Sequence, residues 1–197
     1  MRQLSAGESA RQYDDPATAA ALYGRAAATA AAGDRPTLAA DASYRQGLSL
    51  LAAGRPAAAL EPLDRAVALA RGVGDRSLAA RALLGLARAR WSTGRGAVVP
   101  ALAEARALGL EAGDRIAAAL AEVGLGAQSP PDEARRHYAA AASLAGSAPE
   151  VAGPLALNRA LLAEREGDLA GARAGYRAAL APLTAGDDRP GLLAALA

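Results

Sequence analysis

His137 is the one histidine of this 197-residue chain, which has no cysteine and no lysine. Side chains that could do chemistry are therefore few. Without cysteine there is no thiolate nucleophile and no disulfide, and a zinc site of the usual Cys/His kind cannot form within one chain. Without lysine there is no P-loop lysine, kinase lysine or Schiff base. No Gly-x-Ser-x-Gly elbow occurs. Glu164 and Glu166 flank Arg165, a cluster that reads as a solvated helix end. His137 stands beside Tyr138, which the pattern described below turns inward, so its imidazole is expected to face solvent rather than bind a metal or carry a proton. These residues predict a protein that is not an enzyme and holds no metal or cofactor.

Arginine and alanine dominate what remains. All 22 basic residues are arginine, which, with the load of alanine, glycine and proline, points to codon bias in a GC-rich bacterial genome. The net charge is only +2, and no run of positive residues is longer than Arg135-Arg136. Nucleic-acid binding, which needs a clustered basic footprint, is not expected. The chain is 52% apolar but 3% aromatic, and alanine is the strongest helix former. No strand-like alternation is present, so the expected fold is all-α. The first residues lack a secretory apolar core. Uncharged stretches such as Tyr138 to Pro149 are too short to span a bilayer. A soluble, cytoplasmic protein that binds no membrane is expected.

The elements that position these residues are set by a repeat. Gly-Asp-Arg begins at Gly33, Gly74 and Gly113, spaced 41 and then 39 residues apart, with a looser echo at Gly186 to Arg189. Between these marks lies a second set of breaks at Asp14-Asp15-Pro16, Gly54-Arg55-Pro56, Gly94-Arg95-Gly96, Ser129-Pro130-Pro131 and Gly167-Asp168-Leu169. Each unit thus reads as helix, tight turn, helix, turn. Gly33, Gly74 and Gly113 are expected to end helices in the left-handed conformation. Asp34, Asp75 and Asp114 are expected to cap the next helix. Pro16, Pro56 and Pro131 fall at the first helical positions, where their missing N–H is not needed.

The second helix of each unit carries small and large residues at offsets of four and three. These are Ala19-Tyr23-Ala26, Ala59-Leu63-Ala66, Ala134-Tyr138-Ala141 and Ala172-Tyr176-Ala179. Such spacing places all three residues on one helical stripe. In the third unit Ala101-Ala105-Leu108 fits if the Gly94-Arg95-Gly96 break holds two extra residues.

These units resemble tetratricopeptide repeats in a long form of about 40 residues, and the stretch from Asn158 to Leu180 is the best match. In first helices the family's small residue falls on Gly7, Gly47, Ala87 and Ala160; in the fourth unit Glu122 falls there instead, and the span from Gly113 to Ser129 is about one turn short. The resemblance implies an α-solenoid of about five helical hairpins with a short C-terminal helix. The units are 1–33, 34–73, 74–112, 113–147 and 148–185, followed by a partial helix over 186–197 in a single domain.

The resemblance also implies that first helices line a concave face on which a peptide or partner protein lies. Carried over by position, that stripe is Arg81, Leu84, Arg88 and Trp91 in the third unit. In the second unit it is Asp41, Tyr44, Leu48 and Leu51, and in the fifth it includes Leu157, Asn158, Leu161 and Glu164. Trp91 is the only tryptophan, and tryptophan and arginine are enriched in binding hot spots. A groove centred on Trp91 would take a partner with an acidic group and an apolar anchor; the alternative is that Trp91 fills space between first helices. Only Asn158 matches the carboxylate-gripping set of some family members, so recognition of a chaperone tail is not expected. The expected function is a protein-interaction scaffold, alone or within a larger bacterial regulator. The alternative is a sensor taking a small molecule or short peptide in the groove. Gly191 to Ala197 begins a first helix without charge on its outer side, which points to a chain cut from a longer one or to self-association through that helix.

Overall fold

In the computed structural model, which describes residues 15–185, the punctuation read above becomes a row of helices. They are α1 (Pro16–Ala32), α2 (Pro36–Ala52), α3 (Pro56–Gly72), α4 (Arg76–Thr93), α5 (Val98–Ala112), α6 (Arg115–Ala127), α7 (Pro131–Ala145), α8 (Pro149–Arg165) and α9 (Leu169–Ala185). The described residues form no strand. The first helix expected for the opening hairpin, with its Gly7, and the final helix over 186–197 lie outside the described residues.

Local chemistry sets the helix starts. Proline opens α1, α2, α3, α7 and α8. Asp75 accepts the Leu78 amide at 2.9 Å and Asp114 that of Ala117 at 3.0 Å, which satisfies one orphan donor at each start. Asp15 and Asp168 do the same for Thr18 and Gly171. The arginine of the tripeptide has a part as well. Arg76 Nε pairs with Glu111 at 3.2 Å, on the last turn of α5. Arg115 donates to the carbonyls of Ser143 and Leu144, both at 3.1 Å, and so satisfies the end of α7.

The first Gly-Asp-Arg departs from expectation. Gly74 and Gly113 are left-handed with φ of 73° and 70°, but Gly33 has φ of −92° and Asp34 takes the positive value, 49°. Arg35, not Asp34, stands at the cap of α2, and it makes no side-chain capping bond. The cause is Pro36. A residue before proline is disfavoured in the helical region, so α2 starts one residue later than α4 and α6 do after their own tripeptides. The left-handed position moves with it onto Asp34. At Gly54-Arg55-Pro56 the same position holds a glycine, with φ of 68°.

The chain divides into two compact units, Met1–Ala112 and Gly113–Ala197. In the first, each of α1 to α5 packs on the next, and α2 also meets α4. In the second, α6 to α9 pack in order, and α6 also meets α8. Each unit is thus a series of consecutive helical hairpins, consistent with a helical repeat fold. The small-large-small triads are its seams: Ala19, Tyr23, Ala59, Leu63, Ala66, Ala134, Tyr138, Ala141, Ala172 and Ala179 are all buried. Leu63 of α3 lies over two glycines at once. A Cβ on Gly47 of α2 would collide with its Cγ, and one on Gly85 of α4 would come within 3.0 Å of its Cδ2.

In the second unit α6 has only 13 residues against 17 for α8, the shortening expected from the sequence. The notch therefore shifts by one turn, and Tyr138 sits against Gly126 rather than against position 122.

Two substitutions test this description by chemical denaturation. Asp34→Gly is expected to stabilise the fold by about 0.5–1 kcal/mol, because glycine takes the left-handed region without steric cost. Gly47→Ala is expected to destabilise by about 1–3 kcal/mol through overpacking against Leu63, although alanine is the better helix former.

Candidate functional site

Helix α4 has most of its surface occupied. Ala79, Ala80, Ala82, Leu83, Leu86, Ala87 and Ala89 are buried, and alanine at these positions lets the neighbouring helices approach closely. Two of its arginines reach other parts of the unit. Arg76 reaches Glu111, while Arg90 reaches Asp64 of α3 at 3.4 Å and the Ala97 carbonyl at 3.2 Å. The second of those bonds ties down the loop after α4, where Gly94 and Gly96 have φ of 62° and 81°.

What α4 leaves to solvent is the stripe Arg81, Leu84, Arg88 and Trp91. Arg81 and Arg88 are exposed and Leu84 is half-buried. Trp91 is 66% exposed, so it does not fill space between helices. Arg88 has no ion pair or hydrogen bond with the described residues. On α2, Tyr44 and Leu48 are half-buried and Leu51 is buried. Leu48 Cδ2 would lie 3.5 Å from a Cβ added at Gly85, which places α2's stripe alongside α4's. Asp41 already pairs with Arg45 at 2.9 Å, so its carboxylate is engaged within α2. One flank of the face is thus cationic and ends in an indole, and the other is apolar.

Five of the six candidate residues, Tyr44, Arg81, Leu84, Arg88 and Trp91, fall on α2 and α4 of the first unit. Asn158 lies on α8 in the second unit, where its side-chain amide donates to the Pro154 carbonyl at 2.8 Å. Near it, Leu157 is buried and Glu164 accepts the Tyr176 hydroxyl. Burial and that carboxylate together push the Tyr176 pKa up to about 12.

His137 corrects the sequence reading. It does not point freely into solvent: its Nδ1 lies 2.6 Å from Oε2 of Glu122, and Glu122 is only 7% exposed. The signal was present in Glu122 itself. A carboxylate where the repeat expects a small side chain must find a partner when buried, and His137 on the adjoining helix supplies one. Among the described residues no group of three His, Cys, Asp or Glu side chains could hold a metal ion. No helix among them is long and apolar enough to cross a membrane.

His137→Ala is expected to cost up to about 3 kcal/mol, because it takes the imidazole partner from a buried carboxylate. Removing both partners in Glu122→Ala/His137→Ala should recover most of that loss in a double-mutant cycle. Additive single effects would show that the two side chains do not act as a pair.

The chain matches no protein-family model, and no curated protein matches it either.

Proposed function

We propose that this chain is a non-catalytic protein-interaction scaffold of long-form tetratricopeptide repeats, from a bacterial cytoplasm, working alone or within a larger regulatory protein. Its docking face is the stripe of α4 flanked by α2. The observation that carries this reading is Trp91, two-thirds exposed (66%) beside Arg88, on a helix whose Leu83 and Leu86 are buried and whose Leu78 and Leu84 are half-buried. A large aromatic beside a guanidinium offers contact area and directional donors, the pairing found at binding hot spots. The repeat period of about 40 residues and the buried triads support the family reading. The near-neutral net charge of +2 favours a protein partner over nucleic acid.

The sensor reading would want an enclosed recess on this face. A shallow recess of about 550 Å³ lies on α9, away from this face, lined by Leu169, Ala170, Arg173, Ala174 and Arg177.

The test is the double variant Arg88→Ala/Trp91→Ala, followed by circular dichroism and by binding to a partner captured from source cells. Helicity is expected to stay unchanged while binding falls at least about 30-fold, the loss of a hot spot. Unchanged binding would remove the face from consideration, and lost helicity would give Trp91 a structural role.

A further inference from the structure

We infer that the segment bound on this face is an acidic amphipathic helix lying along α4, with two carboxylates seven residues apart. The inference rests on the docking face proposed above and adds the form of its occupant.

Charge supplies the first argument. Between Arg76 and Thr93, α4 carries four arginines and no aspartate or glutamate. Arg76 and Arg90 face other helices of the unit, while Arg81 and Arg88 lie on the exposed stripe. A guanidinium carries five N–H donors, so an internal contact does not exhaust it. The partner's matching groups are therefore carboxylates.

Spacing supplies the second. Arg81 and Arg88 are two turns apart on α4, about 10.5 Å along its axis and about 20° around it. Trp91 stands about 4.5 Å further on. A partner helix repeats at the same pitch, so acids at i and i+7 meet both guanidiniums. An extended strand covers that distance in about three residues, which turns the second carboxylate to the opposite side. A polyproline segment comes round after three residues at about 9.3 Å and is the nearest competitor.

The third argument is the apolar flank. Leu48 of α2 would lie 3.5 Å from a Cβ added at Gly85 of α4, Tyr44 precedes it by one turn, and Asp41 on the same helix is already paired. An amphipathic helix laid in the groove presents an apolar stripe to that flank and an acidic one to α4.

The experiment is selection of 18-residue peptides from a random display library on the full chain, with the enriched peptides resynthesised for affinity and circular dichroism. The expected peptides carry Asp or Glu seven residues apart with apolar residues between, and gain helicity on binding. They should lose at least tenfold in affinity for Arg88→Glu, a surface change that leaves the helical spectrum intact. Lysine in place of both carboxylates should restore binding to Arg81→Glu/Arg88→Glu. Peptides that depend on Trp91 yet bind equally well with a central proline would overturn the helix and leave the docking face standing. Peptides indifferent to both Trp91→Ala and Arg88→Glu would overturn the face as well. Enrichment of no peptide, or tighter Trp91-dependent binding of an oligothymidylate, would overturn the peptide occupant.

Discussion

One bulky side chain resting in a notch of glycine or alanine on the neighbouring helix is the contact on which each unit depends. Leu63 does this twice over, covering Gly47 on α2 and Gly85 on α4, and so brings two alternate helices into contact. Tyr138 does it against Gly126, and in the last hairpin Gly175 of α9 closes directly on Ala160 of α8. With phenylalanine absent and alanine abundant, little of this core can come from large interlocking residues. Its dispersion energy comes from close backbone approach, which is why a single added methyl group matters at these positions.

Close approach has a consequence for function. When helices meet through alanine and glycine, long side chains must go elsewhere. Some bridge the helices from outside, as Arg71 does with Glu104, Arg135 with Glu166 and Arg90 with Asp64. These pairs are exposed, so each adds little stability, but they order the loops and helix ends they join. Trp91 and Arg88 take part in no such bridge among the described residues. The Glu122–His137 pair follows the opposite logic. It is a part-buried polar contact that joins α6 to α7.

Much of the fold was legible in the sequence because the repeat rests on local chemistry. Glycine and proline mark the breaks, aspartates cap the starts, and the small-large-small triads name the seams; two of the three Gly-Asp-Arg turns take the capping and left-handed positions expected of them. The exception, Gly33 and Asp34, was legible too: Pro36 lies two residues beyond Asp34, and its restriction on Arg35 shifts the turn. Contacts remote in sequence were harder to see. Nothing local to His137 announces Glu122, 15 residues away, and nothing local to Arg115 announces the carbonyls at the end of α7. The candidate face was legible as a stripe of positions, but its exposure depends on how tightly α2, α3 and α5 cover the rest of α4. Asn158, placed on the stripe by position alone, turns out to bond within its own helix.

The central claim is that the nested helices leave the indole of Trp91 uncovered. Because it is the only tryptophan in the chain, its fluorescence reports on this one position without labelling. Emission like that of free tryptophan in water, readily quenched by iodide under native conditions and little changed on unfolding, is the predicted result. Blue-shifted emission that resists iodide until the protein unfolds would contradict the account.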